Sequence, residues 1–229
     1  MATPSRLSTI AERLDAVRER ITAACQRSGR SPSEVTLVAV TKGFPPEAVR
    51  EAHAAGVRDF GENRVQEAQG KLPALEGLSP RPVWHMIGHL QTNKAKTAVS
   101  LFDIIQSVDS LHLAQAIAER APQSARVPVF LEANVAGEAS KYGISPGDLP
   151  REAEAIRALP GLDVRGLMTI APLVDDPERV RPVFRRLREL GESLGLDQLS
   201  MGMTDDFEVA IEEGATLVRV GRAIFGERV

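Results

Sequence analysis

VTLVAV at Val35–Val40, running straight into Thr41-Lys42-Gly43-Phe44-Pro45-Pro46, is the first complete instance of a unit that recurs along the chain. The run is almost unbroken in apolar residues and rich in β-branched ones, which fits a strand buried on both faces. Pro45-Pro46 then opens a helical stretch through Ala48, Val49 and Ala52, proline being tolerated in a first turn. Further strands are predicted at Val57–Phe60, Val83–Ile87, Phe102–Val108, Val127–Val135, Val164–Ile170, Leu196–Met201 and Ala215–Val220. Helical stretches are predicted to begin near Glu62, Gln91, Ser110, Pro146, Pro177 and Thr204. Strands joined by helices run parallel, because each crossover returns the chain to the same edge. Eight such units can close into a barrel with no exposed edge. An open doubly wound sheet usually has fewer strands and often a glycine-rich first turn, and Thr41-Lys42-Gly43-Phe44 is not a G-x-G-x-x-G turn. Ahead of the first strand, Leu7, Ile10, Leu14, Val17, Ile21 and Cys25 form one helical stripe that Ser28-Gly29-Arg30-Ser31-Pro32 ends. The expectation is one α/β domain over residues 1–229: a (β/α)8 TIM barrel, with residues 1–30 as an extra N-terminal helix packed outside it.

Composition agrees. A length of 229 residues suits an undivided barrel, which runs to about 200–250. The chain is 43% hydrophobic and 26% charged, ordinary for a soluble globule with a sizeable core. Its 28 Lys+Arg against 31 Asp+Glu leave a net charge of −3, which gives no support to nucleic-acid or membrane-surface binding. The lone Cys25 excludes an intrachain disulfide and fits a reducing compartment. No apolar run approaches the about 18 residues that span a bilayer, and Arg6, Glu12, Arg13 and Asp15 break up any signal-like segment. A cytoplasmic protein is expected.

In such a barrel, chemistry belongs at the C-terminal strand ends. The first strand delivers Lys42 there, where partial desolvation would favour the neutral amine that Schiff-base formation needs. The seventh delivers Ser200-Met201-Gly202-Met203-Thr204-Asp205-Asp206, with Thr204 as expected N-cap of the following helix. The eighth delivers Arg219-Val220-Gly221-Arg222. Loops after strands 7 and 8 are the usual phosphate site of a barrel, and strand 8 neighbours strand 1, so Lys42 and Arg219 can share a pocket. An amine facing a phosphate cradle suggests a phosphorylated aldehyde; pyridoxal phosphate or the substrate of a Schiff-base aldolase would both suit. His85 and His89 are spaced H-x-x-x-H but lie on a strand and a loop, so no zinc motif is expected. Asp205-Asp206 complement a helix dipole, and Arg179–Arg188 is a solvated helix face.

The segments VAVTK ending at Lys42, FGENRVQE (Phe60–Glu67), WHMIGHLQTNK (Trp84–Lys94), SVDS (Ser107–Ser110), SKYGI (Ser140–Ile144), RGLMTI (Arg165–Ile170), LSMGMTDDFEVAI (Leu199–Ile211) and VRVGRAIFG (Val218–Gly226) resemble the pyridoxal phosphate homeostasis protein family. The resemblance covers nearly the whole chain. It implies a barrel like the N-terminal domain of alanine racemase, of the fold-type III kind, with pyridoxal 5'-phosphate held as an aldimine on Lys42. It implies phosphate contacts from Ser200, the Gly202 region, Gly221 and Arg222, largely through backbone N–H groups. It also places Arg219 at the pyridine nitrogen, and Asn63 and Met168 along the pocket. Thr204 stands where the family pattern MGMSDD has serine.

A guanidinium at the ring nitrogen disfavours its protonation, which weakens the ring as an electron sink and argues against aminotransferase chemistry. Alanine racemases complete their site with a second, β-rich domain that supplies a tyrosine base. The sequence ends soon after its eighth strand, and its one tyrosine, Tyr142, reads as a loop residue. The resemblance therefore implies a carrier or regulator of pyridoxal phosphate with no strong catalysis, serving apo-enzymes that depend on the cofactor; a monomer is preferred, although the sequence does not fix the oligomeric state. An amino-acid racemase or decarboxylase is the alternative.

Overall fold

The computed structural model describes residues 9–138 and 142–227. Eight parallel strands close a barrel in sequence order: β1 (Thr36–Val40), β2 (Asp59–Glu62), β3 (Val83–Met86), β4 (Ile104–Val108), β5 (Val127–Glu132), β6 (Leu162–Met168), β7 (Gln198–Ser200) and β8 (Leu217–Val220). β8 closes on β1, with Val38 opposite Arg219. The crossovers carry helices α2 (Pro46–Ala54), α3 (Val65–Lys71), α4 (Ala95–Leu101), α5 (Leu111–Ala118), α6 (Leu149–Arg157), α7 (Arg181–Leu194) and α8 (Phe207–Glu212). A one-turn helix α9 (Arg222–Phe225) follows β8.

Helix α1 (Ile10–Arg27) packs outside the barrel against α2, α8 and α9. A capping box between Thr9 and Glu12 starts it, and Ile10, Leu14, Val17, Ile21 and Cys25 form its buried stripe. Leu7, the first residue expected on that stripe, lies outside the described residues, as do Ser140 and Lys141 of SKYGI. Arg30 ties this end down, Nη1 donating to the carbonyls of Ile211 and Ala215 at 2.9 and 2.8 Å.

Most apolar side chains fill the layer between strands and helices. The barrel interior holds only a small apolar plug of Val38, Phe130, Met168 and Leu217. Above it the interior turns polar, and that layer is the floor of the site.

Two strands are displaced by two residues from expectation: β6 is Leu162–Met168 instead of Val164–Ile170, and β2 moves the other way. β2 is Asp59–Glu62, two residues later than Val57–Phe60, so Glu62 ends a strand where a helix was expected to begin. Glu62 is fully buried, because Lys71 and Thr41 hydrogen-bond it. A glutamate buried in an ion pair reads, by periodicity alone, as a surface residue.

Among the described residues no helix is long and apolar enough to cross a membrane, and no three His, Cys, Asp or Glu side chains are placed to hold a metal ion.

Candidate functional site

A cavity of about 580 Å³ opens at the C-terminal mouth of the barrel. Lys42, Asn63, Arg219, Gly221 and Arg222 line it, together with Met203, Thr204 and Asp205 of the loop after β7. Val40, Phe44, Ile87 and Ile170 supply apolar wall.

Lys42 follows β1 and is half-buried. Its backbone is clamped on both sides. The Lys71 ammonium donates to the Thr41 carbonyl at 2.8 Å, to Glu62 Oε1 at 2.7 Å and to Glu67 Oε1 at 2.9 Å. Glu67 in turn accepts the Gly43 N–H at 2.5 Å. Burial pushes the Glu62 carboxyl above its ordinary range, while Lys71 and Thr41 pull it back. Burial also raises Glu67, but Lys71 and the Gly43 N–H outweigh it and hold that carboxyl low.

Arg219 lies on β8 beside β1 and is 4% exposed. Its Nη1 donates to Ser200 Oγ at 2.7 Å and its Nη2 to the Thr169 carbonyl at 2.8 Å. Burial pulls its pKa down to about 10, against the charges of Asp206 and Glu132. No carboxylate is hydrogen-bonded to it among the described residues, and its other N–H groups are available to a ligand.

Glu132, at the end of β5, is pushed up to about 7 by burial and the charge of Asp109, with Arg219 pulling the other way. A carboxyl raised above its unfolded value of about 4.3 destabilises the fold increasingly as pH climbs through that window, then levels off above the folded value. Glu132→Gln is therefore expected to gain stability relative to the parent between pH 5 and 8. Urea unfolding at both pH values checks this; an equal difference at both contradicts it.

The structure sorts the expected site residues by depth. Lys42, Asn63, Arg219, Gly221 and Arg222 reach the cavity. Ser200 is buried beneath it as the support of Arg219, Gly202 is buried behind the loop, and Met168 lies in the apolar plug. Thr204 is not the N-cap of α8. Asp206 is, and its carboxylate first closes a turn by accepting the Met203 N–H at 2.6 Å. That leaves Thr204 on the cavity wall. The N–H groups of Thr204, Asp205, Gly221 and Arg222 donate to no described residue. Arg222 pairs with Asp205 at 2.6 Å across the rim, both half exposed, so the pair itself adds little stability. Asn63 Oδ1 is buried without a hydrogen-bond partner, an acceptor awaiting a donor.

Gly88 explains part of WHMIGHLQTNK. A Cβ there would sit 2.4 Å from the Asn63 carbonyl oxygen, so only glycine lets the loop after β3 press Asn63 into place. His85 is 1% exposed and lies below the cavity floor. Tyr142 stacks on His89 with ring centroids 3.6 Å apart, and His89 meets Asp109 at 3.1 Å, so neither faces Lys42 from the cavity wall. The supporting residues Glu62, Lys71 and Gln106 were not expected; the i,i+4 spacing of Glu67 and Lys71 was the one local signal.

The closed parallel barrel, with an amine and a buried guanidinium at its mouth, belongs to the class of the alanine racemase N-terminal domain. Residues 13–229 match that family. Alanine racemase from Corynebacterium glutamicum has this fold, with a TM-score of 0.66 at 21% identity, over 93% of this chain and 61% of that one. Within the class, the chain belongs to the pyridoxal phosphate homeostasis protein family. It is 51% identical to the pyridoxal phosphate homeostasis protein of Pseudomonas aeruginosa, over 97% of each chain. It is 47% identical to that of Aquifex aeolicus, over 95% of this chain and 97% of that one. PipY of Synechococcus elongatus, solved with PLP bound, has a TM-score of 0.81 at 42% identity, over 95% of this chain and all of that one.

Proposed function

We propose that this protein holds pyridoxal 5'-phosphate through Lys42 and serves intracellular homeostasis of that cofactor, handing it to apo-enzymes without strong catalysis of its own. The observation that carries the reading is the placement of Lys42 and Arg219 in one cavity whose rim has four N–H groups with no described acceptor. When bound, the cofactor supplies an aldehyde that condenses with an amine and a phosphate that needs donors.

The residues present suit both ends. Lys42 offers the amine on a backbone fixed by Lys71 and Glu67. Thr204, Gly221 and Arg222 offer donors to an anion, which competes with Asp205 for the Arg222 guanidinium. Gly221 keeps this wall thin: a Cβ there would meet the Val40 carbonyl oxygen at 3.2 Å. Arg219 presents N–H groups, not a carboxylate, to the cavity floor. Such a donor disfavours protonation of a ring nitrogen and so opposes carbanion chemistry. The kinship with PLP-bound PipY supports the ligand, and the lone, buried Cys25 supports a cytoplasmic setting.

Titrating the protein with pyridoxal phosphate is expected to give a visible band that Lys42→Ala abolishes. Loaded protein is expected to transfer the cofactor to an apo-enzyme and to leave the α-protons of added amino acids unexchanged in D₂O. Rapid exchange would favour a racemase and release of carbon dioxide a decarboxylase, the alternatives that the alanine racemase fold keeps in view.

A further inference from the structure

Between the cavity floor and the apolar plug, side chains from five strands join in one hydrogen-bonded line. Arg219 Nη1 donates to Ser200 Oγ at 2.7 Å, and Ser200 Oγ donates to Gln106 Oε1 at 2.5 Å. Gln106 Nε2 meets His85 Nδ1 at 2.8 Å, and His85 Nε2 meets Asp59 Oδ1 at 3.0 Å. All but Asp59 are buried; Asp59 is the first residue of β2, at the end away from the cavity.

The direction of every proton in this line is forced from its two ends. A guanidinium can only donate and a carboxylate can only accept. Ser200, accepting a hydrogen bond from Arg219, must donate its own O–H to Gln106 Oε1, since an amide oxygen has no hydrogen to donate. The Gln106 amide nitrogen must then donate to His85 Nδ1, which leaves that nitrogen bare. The ring proton therefore sits on Nε2 and points at Asp59. Orientation of the amide and choice of tautomer follow from the network as a whole.

Such a line does something that a direct ion pair does not. A carboxylate gripping Arg219 would take two of its N–H groups in a fork and cancel its charge beside the cavity. Here one N–H of Nη1 goes to a neutral hydroxyl and one of Nη2 to the neutral Thr169 carbonyl, so no carboxylate forks the guanidinium; Asp206 and Glu132 act on it only through space, and Asp59 stands four hydrogen bonds away. The guanidinium is thereby pinned and charged, with donors left for a ligand. Hydrogen-bonded side chains in series also polarise one another, so the far end bears on the near one.

We infer that Gln106 and His85 are positioning residues for Arg219. They hold the Ser200 hydroxyl as an acceptor at the cavity floor, and so set how Arg219 meets the ring of a bound cofactor. The inference rests on the proposed binding of pyridoxal phosphate above Arg219.

Two measurements test it. In ¹⁵N-histidine-labelled protein without cofactor, His85 is expected to show the Nε2–H tautomer; an Nδ1–H tautomer overturns the inference whatever the ligand. With pyridoxal phosphate, Gln106→Leu is expected to weaken binding about tenfold, because the Ser200 hydroxyl that holds Arg219 loses its acceptor and His85 Nδ1 its donor. The visible band of the Lys42 adduct is expected to shift as Arg219 loosens. Gln106→Glu keeps an acceptor for Ser200 but takes away the donor to His85 Nδ1, so it is expected to recover only part of the affinity that Gln106→Leu loses. Wild-type affinity and an unmoved band in Gln106→Leu overturn the inference. Absence of any adduct in the parent protein instead defeats the cofactor reading, and the His85 tautomer still decides whether the line exists. Should Gln106→Leu fail to fold, the tautomer and Gln106→Glu carry the test.

Discussion

Lys71→Met is expected to lower stability by about 3–5 kcal/mol at neutral pH, the cost of stripping one partner from a buried ion pair. Three donors vanish at once, from the Thr41 carbonyl, Glu62 and Glu67. Glu62 is the critical loss. It is fully buried, its Oε2 already has no hydrogen-bond partner, and burial holds its carboxyl high even with the ammonium present. Without the ammonium that carboxyl rises further. A group whose folded pKa lies above its unfolded value costs most when ionised, so the deficit is largest at neutral pH. It shrinks as pH falls through the raised pKa of Glu62 toward about 4.3. Chemical denaturation at pH 7 and pH 5 checks both size and sign. A small loss, or one unchanged on acidification, contradicts the account. Because Thr41 and Gly43 flank Lys42, the variant is also expected to take up pyridoxal phosphate poorly although Lys42 is untouched.

Gly202→Ala is expected to be nearly as damaging, on the order of 3 kcal/mol, because two costs coincide. Gly202 has φ +93°, where an L side chain is strained. An added Cβ would also stand 2.6 Å from Ala210 Cβ and 2.9 Å from Phe207 Cα, so helix α8 would have to move off β7. The Gly202 carbonyl accepts the Arg219 N–H at 3.0 Å, so the shift reaches the cavity floor. Gly195→Ala serves as the comparison. Gly195 sits at φ +63° past the end of α7 with nothing within 4 Å, so only the backbone penalty of about 1–2 kcal/mol applies. Equal losses in the two variants would show that crowding against α8 plays no part.

The eight strands were legible because parallel barrel strands are buried on both faces and so appear as short β-branched runs, VTLVAV being the plainest. Closure followed from their number, and closure alone put Lys42 beside Arg219. Depth was not legible. Ser200 and Met168 stand at strand ends as expected, but the side chain of one turns under the floor and that of the other fills the plug. Glu62 and Lys71 were missed because hydrophobic periodicity treats charged residues as exposed, and nothing local announces a buried pair nine residues apart. The line under Arg219 was invisible for a related reason. Ser200 and Gln106 are 94 residues apart, and only a closed barrel brings them within hydrogen-bonding reach. Thr204 was misread as a cap because the sequence offers three candidates in a row, and the one that starts α8, Asp206, is fixed by the Met203 turn.

Reduction of pyridoxal-phosphate-loaded protein with borohydride, followed by peptide mapping, bears most directly on the site. A single label is expected, on the peptide that carries Lys42. A label on a different lysine, or no label despite a bound chromophore, would contradict the assignment of Lys42 and Arg219 to one cofactor cavity.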